Sequence, residues 1–302
     1  MSMHPIGLAA LFALASAVAA PSAEAQSPRE RMIVSDAWVA EHLNDPTVVL
    51  LHVGDKAEYD REHLPGARYV PLRETAAPHI EGQLHLELPP AAQMRERLAA
   101  LGISDDSRIV LYWGKDWITP TTRIYLTLDY LGLGDRTAIL DGGMQLWKKN
   151  GRPVTAELPA ITPGRLSARP TKDVIVRLAD VKAASAGKKG VRIIDARAPV
   201  FYDGNDGPEG RAGHIPGAIS LPYDRIADEN AVILGDTALA ERFRAAGVRP
   251  GDTIIAYCHI GQQATAIVFA ARLLGYEAKL YDGSYDEWGG RTTLPVALPD
   301  HD

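Results

Sequence analysis

Short unbroken runs of aliphatic and aromatic residues alternate along this chain with longer stretches whose apolar positions recur at helical spacing. The runs Val48-Val-Leu-Leu-His-Val53, Arg108-Ile-Val-Leu-Tyr112, Val191-Arg-Ile-Ile-Asp-Ala196 and Thr253-Ile-Ile-Ala-Tyr257 are rich in β-forming residues. They read as buried strands. Between them, 91–101, 124–131, 237–246 and 264–274 read as helices. Gly132 and Gly275 follow two of these helices, where a C-cap favours glycine. Strands alternating with helices predict an α/β architecture, a mainly parallel sheet with helices on both faces.

The whole pattern occurs twice. In the first half, the strand run is followed by Tyr59, His63-Leu-Pro-Gly-Ala67 and Val70-Pro-Leu72. In the second, the matching run is followed by Tyr202, His214-Ile-Pro-Gly-Ala218 and Ser220-Leu-Pro222, with an insertion between Tyr202 and His214. Further on, Ala138-Ile-Leu-Asp-Gly-Gly143 pairs with Lys279-Leu-Tyr-Asp-Gly-Ser284, and Gln145-Leu-Trp147 with Asp286-Glu-Trp288. A period of about 120 to 135 residues is too long for a solenoid and implies a duplicated domain. Residues 31–151 form the first domain of this reading and 168–302 the second. The proline-rich, non-periodic stretch 152–167 is the linker. Because His63 and His214 recur in both copies before a Pro-Gly turn, they are expected to make a structural hydrogen bond.

Composition narrows the function classes. Of 302 residues, 46 % are hydrophobic and 23 % charged, a globular balance. The formal charge of −6, with no long basic run, argues against binding to nucleic acid or to an anionic membrane surface. Residues 1–25 differ from the rest: an apolar run from Leu8 to Ala20 precedes Ala23-Glu-Ala25, a small-x-small cleavage pattern. This reads as a secretory signal peptide, although only the amino terminus and His4 supply positive charge before it. An uncleaved anchor or an unstructured tail is the alternative. A periplasmic or secreted protein is expected, with no stable membrane insertion once the leader is removed.

The chain has one cysteine, Cys258, so it closes no internal disulfide. Cys258 follows the run Thr253 to Tyr257 and opens the loop Cys258-His-Ile-Gly-Gln-Gln263 before an apolar helix. In open α/β sheets, ligands collect at the carboxyl ends of the strands. The first N–H groups of a helix are unpaired and carry partial positive charge, so they favour a thiolate or an attached anionic sulfur. Gly261 lets such a loop curl. A lone cysteine is more often a small buried hydrophobe; the strand–loop–helix setting is what marks this one as a nucleophile.

These residues resemble the tandem-domain rhodanese family, the thiosulfate and 3-mercaptopyruvate sulfurtransferases. The resemblance spans about residues 31–296 and is carried by Asp195-Ala-Arg197, Gly213-His-Ile-Pro-Gly-Ala218, the loop at Cys258 and Asp282-Gly-Ser-Tyr-Asp-Glu-Trp288. It implies two rhodanese-like domains, the second catalytic and the first an inactive copy. In the first copy Trp113 stands at the cysteine position, and His52 and Gly54 replace Asp195 and Arg197. It further implies that a sulfane sulfur passes from a small-molecule donor, thiosulfate or 3-mercaptopyruvate, through a Cys258 persulfide to cyanide or a thiol acceptor. No metal or organic cofactor is implied. The candidate substrate-binding residues are the loop positions His259, Ile260, Gly261, Gln262 and Gln263, together with Arg211 in the insertion and Arg197. For Arg197 a structural salt bridge with Asp195 is an equal reading, and for Arg211 a solvated surface charge. The chain departs from the family pattern in two ways. The loop has no basic residue besides His259, and Phe201 replaces a substrate-binding arginine. Two other classes stay in view. A non-turnover sulfur carrier is one. A phosphatase or arsenate reductase on the same fold is the other, and it is disfavoured because Ala264 stands where a phosphate-closing arginine is needed.

Overall fold

The computed structural model describes residues 26–115, 118–167, 169–170, 173–207 and 211–299. The expected leader, 1–25, lies outside them, as do residues 208–210 of the insertion. Each half of the chain builds one five-stranded sheet. The first holds β1 (Ile33–Val34), β2 (Val48–Val53), β3 (Arg68–Tyr69), β4 (Arg108–Trp113) and β5 (Thr137–Leu140) in the order β1-β5-β4-β2-β3. The second holds β6 (Ile175–Val176), β7 (Val191–Asp195), β8 (Ala218–Ser220), β9 (Thr253–Tyr257) and β10 (Ala278–Tyr281) in the order β6-β10-β9-β7-β8. Every pairing in both is parallel, and the two orders are the same. The central strands are buried along nearly their whole length, which explains why they read as continuous apolar runs.

The two halves share a core. The helices Thr119–Tyr130 and Ala264–Leu273 are buried on almost every face, and side chains from both join one apolar cluster. Ala264–Leu273 is accordingly apolar nearly all round, whereas Thr119–Tyr130 also buries polar side chains, among them Thr122, Arg123 and Asp129. Tyr125 meets Phe269 edge-on with ring centroids 4.9 Å apart. The hydroxyls of Thr122 and Thr265 lie 2.7 Å apart, and Arg272 holds Asp129 at 2.6 Å. The stretch after the first domain lies along it: Thr155 bridges to His63, and Gly164 N–H donates to the Ala99 carbonyl at 2.8 Å. Ala297 bridges to His214 in the same manner. His63 Nδ1 lies 2.6 Å from the Tyr59 carbonyl and His214 Nδ1 lies 2.9 Å from that of Tyr202. Each imidazole also stacks on the same tyrosine's ring. The duplicated histidines thus do one structural job in both copies.

Candidate active site

Strand β9 delivers its last residue, Tyr257, to the carboxyl edge of the second sheet, and Cys258 follows. Cys258 is 1 % exposed, at the root of the loop rather than on its crest. Its main chain is fixed from the neighbouring turn. Cys258 N–H donates to Ser284 Oγ at 3.2 Å, its carbonyl accepts from Tyr285 N–H at 2.9 Å, and the His259 carbonyl accepts from Asp286 N–H at 3.0 Å. The loop turns back at Gly261, where φ is +78° and a Cβ would lie 2.8 Å from the Asp282 carbonyl oxygen. Only glycine fits there without displacing backbone. From His259 to Gln263, none of the five consecutive backbone N–H groups donates to another described residue. A run of unpaired donors beside a curled loop and a helix N-terminus is an anion receptor in waiting.

A cavity of about 490 Å³ opens in front of the loop, lined among others by Arg197, Phe201, Arg211, His259, Ile260 and Tyr285. The fold therefore brings four of the sequence candidates, His259, Ile260, Arg197 and Arg211, around one space. Gly261 and Gln262 instead contact the first domain, Gly261 through its carbonyl to Arg123. Gln262 Nε2 donates to Thr119 Oγ1 at 3.2 Å, and Gln263 Oε1 is buried with no partner among the described residues.

Both arginines are engaged by the protein itself. Arg197 grips Asp195 through Nε at 3.0 Å and Nη2 at 2.6 Å, donates to the Gly213 carbonyl at 2.7 Å, and lies 4.0 Å from the Tyr285 ring centroid. Burial works against its charge, but the bonds and charge of Asp195 outweigh that and hold the guanidinium protonated beyond its ordinary range. Tyr257 donates to the same carboxylate at 2.6 Å. Burial, reinforced by the Asp195 charge, drives its phenol well above the usual value, so Tyr257 remains a donor. Arg211 donates to the carbonyls of Trp288, Gly289, Arg291 and Leu294 at 2.8 to 3.3 Å, and so closes the end of the helix Ser284–Gly289. His259 meets Phe201 edge-on at 4.5 Å. Burial, and then the Arg197 charge, push its imidazole below the ordinary histidine value. At neutral pH it is uncharged, and the loop presents backbone dipoles rather than a cation.

The first copy shows the same frame with different contents. Trp113 occupies the cysteine position, 2 % exposed. Glu58, at the position of Phe201, accepts from Lys115 N–H at 3.0 Å. Gly143, the counterpart of Ser284, has φ +53°, and a Cβ there would lie 2.7 Å from the Trp113 indole. Ser284 has φ +51° and keeps its side chain, whose hydroxyl meets the Cys258 amide. Sequence reasoning passed over Ser284. The signal was available in the repeat: a serine replaces glycine in a turn that demands positive φ, in the half that also carries the cysteine.

Two fused parallel α/β units, one presenting a cysteine on a strand–loop–helix edge, define a tandem-domain α/β protein. The chain belongs to the rhodanese family: the rhodanese-like domain model matches twice, over residues 35–150 and 178–291. It is 34 % identical to the sulfur carrier protein TtuD of Thermus thermophilus, over 88 % of this chain and 96 % of that one. It is 30 % identical to a Mycobacterium bovis protein named "Putative thiosulfate sulfurtransferase 1", over 88 % and 98 %. Among solved structures it is similar to the 3-mercaptopyruvate sulfotransferase SseA from Escherichia coli, with 25 % identity and a TM-score of 0.72, covering 83 % of this chain and 98 % of that one.

Proposed function

We propose that this protein moves a sulfane sulfur by a two-step exchange on Cys258. The thiolate attacks the outer sulfur of thiosulfate; the S–S bond breaks, and sulfite leaves with the bonding pair. With 3-mercaptopyruvate the C–S bond breaks instead, and pyruvate leaves after taking up a proton. Cyanide or a thiolate then attacks the outer sulfur of the persulfide, and the Cys258 sulfur departs as a thiolate. The observation that carries this reading is the row of five N–H groups from His259 to Gln263, unpaired among the described residues, next to a cysteine whose own amide is already bonded. Such donors stabilise negative charge on the outer sulfur without a charged side chain. His259 and Ile260 line the donor's approach, with Arg197 and Arg211 as fixed positive charge at its wall.

A non-turnover sulfur carrier is the second reading. Two observations favour it: the loop lacks a cation at neutral pH, and a relative is named a sulfur carrier. One experiment separates the two. After incubation with thiosulfate, intact-mass analysis of the wild type gains one sulfur atom, and Cys258→Ala gains none. Equal uptake by both sinks both readings. Uptake without catalytic release to cyanide, dithiothreitol or glutathione selects the carrier. We also propose that the protein is exported, because residues 1–25 have the pattern of a leader; the N-terminal residue of the mature protein, Gln26 in this reading, tests that.

A further inference from the structure

We infer that Arg123, a residue of the first domain, is a positioning residue for the Cys258 loop of the second. This rests on the Cys258 reading above. Arg123 sits on the helix Thr119–Tyr130 and is 1 % exposed. Its Nη1 donates to the Gly261 carbonyl at 3.1 Å and to Asp282 Oδ1 at 2.7 Å, and its Nη2 donates to the Leu86 carbonyl. One planar group thus ties together three segments. Gly261 is the point at which the loop reverses. Asp282 stands two residues before Ser284, whose hydroxyl receives the Cys258 amide. Leu86 anchors the other end of the guanidinium in the first domain. A rigid fork of N–H donors suits this work, since a lysine could not hold three separated acceptors in one plane.

Two further observations tie the same helix to the same loop. Thr119 Oγ1 accepts from Gln262 at 3.2 Å, and Thr265, just past the loop, lies 2.7 Å from Thr122. The repeat also shows that the arginine is no requirement of the fold. Counting back from Gly132 and Gly275, which end the two matched helices, Arg123 corresponds to Ala266, a buried side chain with no polar atom. At this position the near-symmetry of the two helices is broken. The half without the cysteine sends an arginine to the half that has it.

The unpaired amides of the loop are useful only if they face the outer sulfur, so a loop free to relax should load sulfur slowly. Substrate reaches the loop through the cavity on its other face, so donor KM should stay nearly unchanged. The test is single-turnover persulfide formation in wild type, Arg123→Lys and Arg123→Met, with Arg272→Met as the matched control. Arg272 bonds Asp129 across the same two helices but touches neither loop. Arg123→Met is expected to load roughly tenfold to a hundredfold more slowly, with KM within about twofold, whereas Arg272→Met loads at the wild-type rate despite a comparable fall in Tm. Arg123→Lys keeps a charge against Asp282, so it folds, and its rate falls between the two. If Arg123→Lys loads at the wild-type rate, or if the loss in Arg123→Met merely tracks its Tm as Arg272→Met does, the inference is wrong. A wild type that gains no sulfur at Cys258 would instead refute the reading beneath it.

Discussion

Ser284 offers a sharp energetic test, because two small substitutions there pull in different directions. Its Oγ accepts from Cys258 N–H at 3.2 Å and donates to the Tyr281 carbonyl at 2.9 Å, and it is fully buried. Its φ of +51° is one that a side chain with a Cβ adopts only against strain. Ser284→Ala keeps the strain and leaves a buried amide without an acceptor, a loss of about 1–3 kcal/mol. Ser284→Gly leaves the same amide unpaired but removes the strain, which is worth on the order of 1 kcal/mol. The greater freedom of glycine in the unfolded chain takes back roughly 0.5–1 kcal/mol. The glycine variant should therefore be no less stable than the alanine variant, in contrast to the usual order at an ordinary position. Thermal unfolding reads this directly, at roughly 2–4 °C per kcal/mol for a domain of this size. Both variants should also load sulfur more slowly, because the Cys258 amide is no longer held. An alanine variant as stable as the wild type would show that the hydroxyl contact contributes nothing, and a glycine variant clearly less stable than alanine would show that φ at this turn carries no strain.

Two other outcomes follow from the same geometry. His52 is fully buried with neither ring nitrogen bonded to a described residue, and burial lowers its pKa to about 4. Between its ordinary value of 6.5 and about 4 the unfolded chain binds a proton that the folded chain refuses, so stability falls as pH drops through that window, by on the order of 3 kcal/mol. His52→Phe should flatten the decline in denaturant midpoint between those pH values, and an unchanged profile would place the acid sensitivity elsewhere. Phe201 lies where the family has a substrate-binding arginine, at the wall of the cavity beside an uncharged His259. Phe201→Arg should lower the KM for thiosulfate about fivefold at low ionic strength, with most of the gain lost in high salt. A gain that survives salt would point to a shape effect instead.

Much of the architecture was legible before any coordinates. The strand runs from Val48, Arg108, Val191 and Thr253 are continuous because both faces of each sheet are covered, and that requirement is written locally in residue type. The duplication was visible because equal folds need equal turns, so His-x-Pro-Gly and Asp-Gly recur in both halves. Cys258 was legible because its place after a strand and before a helix is a statement about neighbours in sequence.

The chain by itself therefore determined two α/β units, their parallel strands and the place of its one cysteine between a strand and a helix, since short-range pattern and backbone chemistry suffice for those. Tertiary structure alone decided what surrounds that cysteine. Arg123 meets Gly261 and Asp282 across 138 and 159 residues, and Arg211 meets the Gly289 carbonyl across 78. Carbonyls are offered by every residue alike, so no periodicity or composition reveals which of them an arginine will find. Only the tertiary packing brings those partners together, between the halves for Arg123 and within the second half for Arg211.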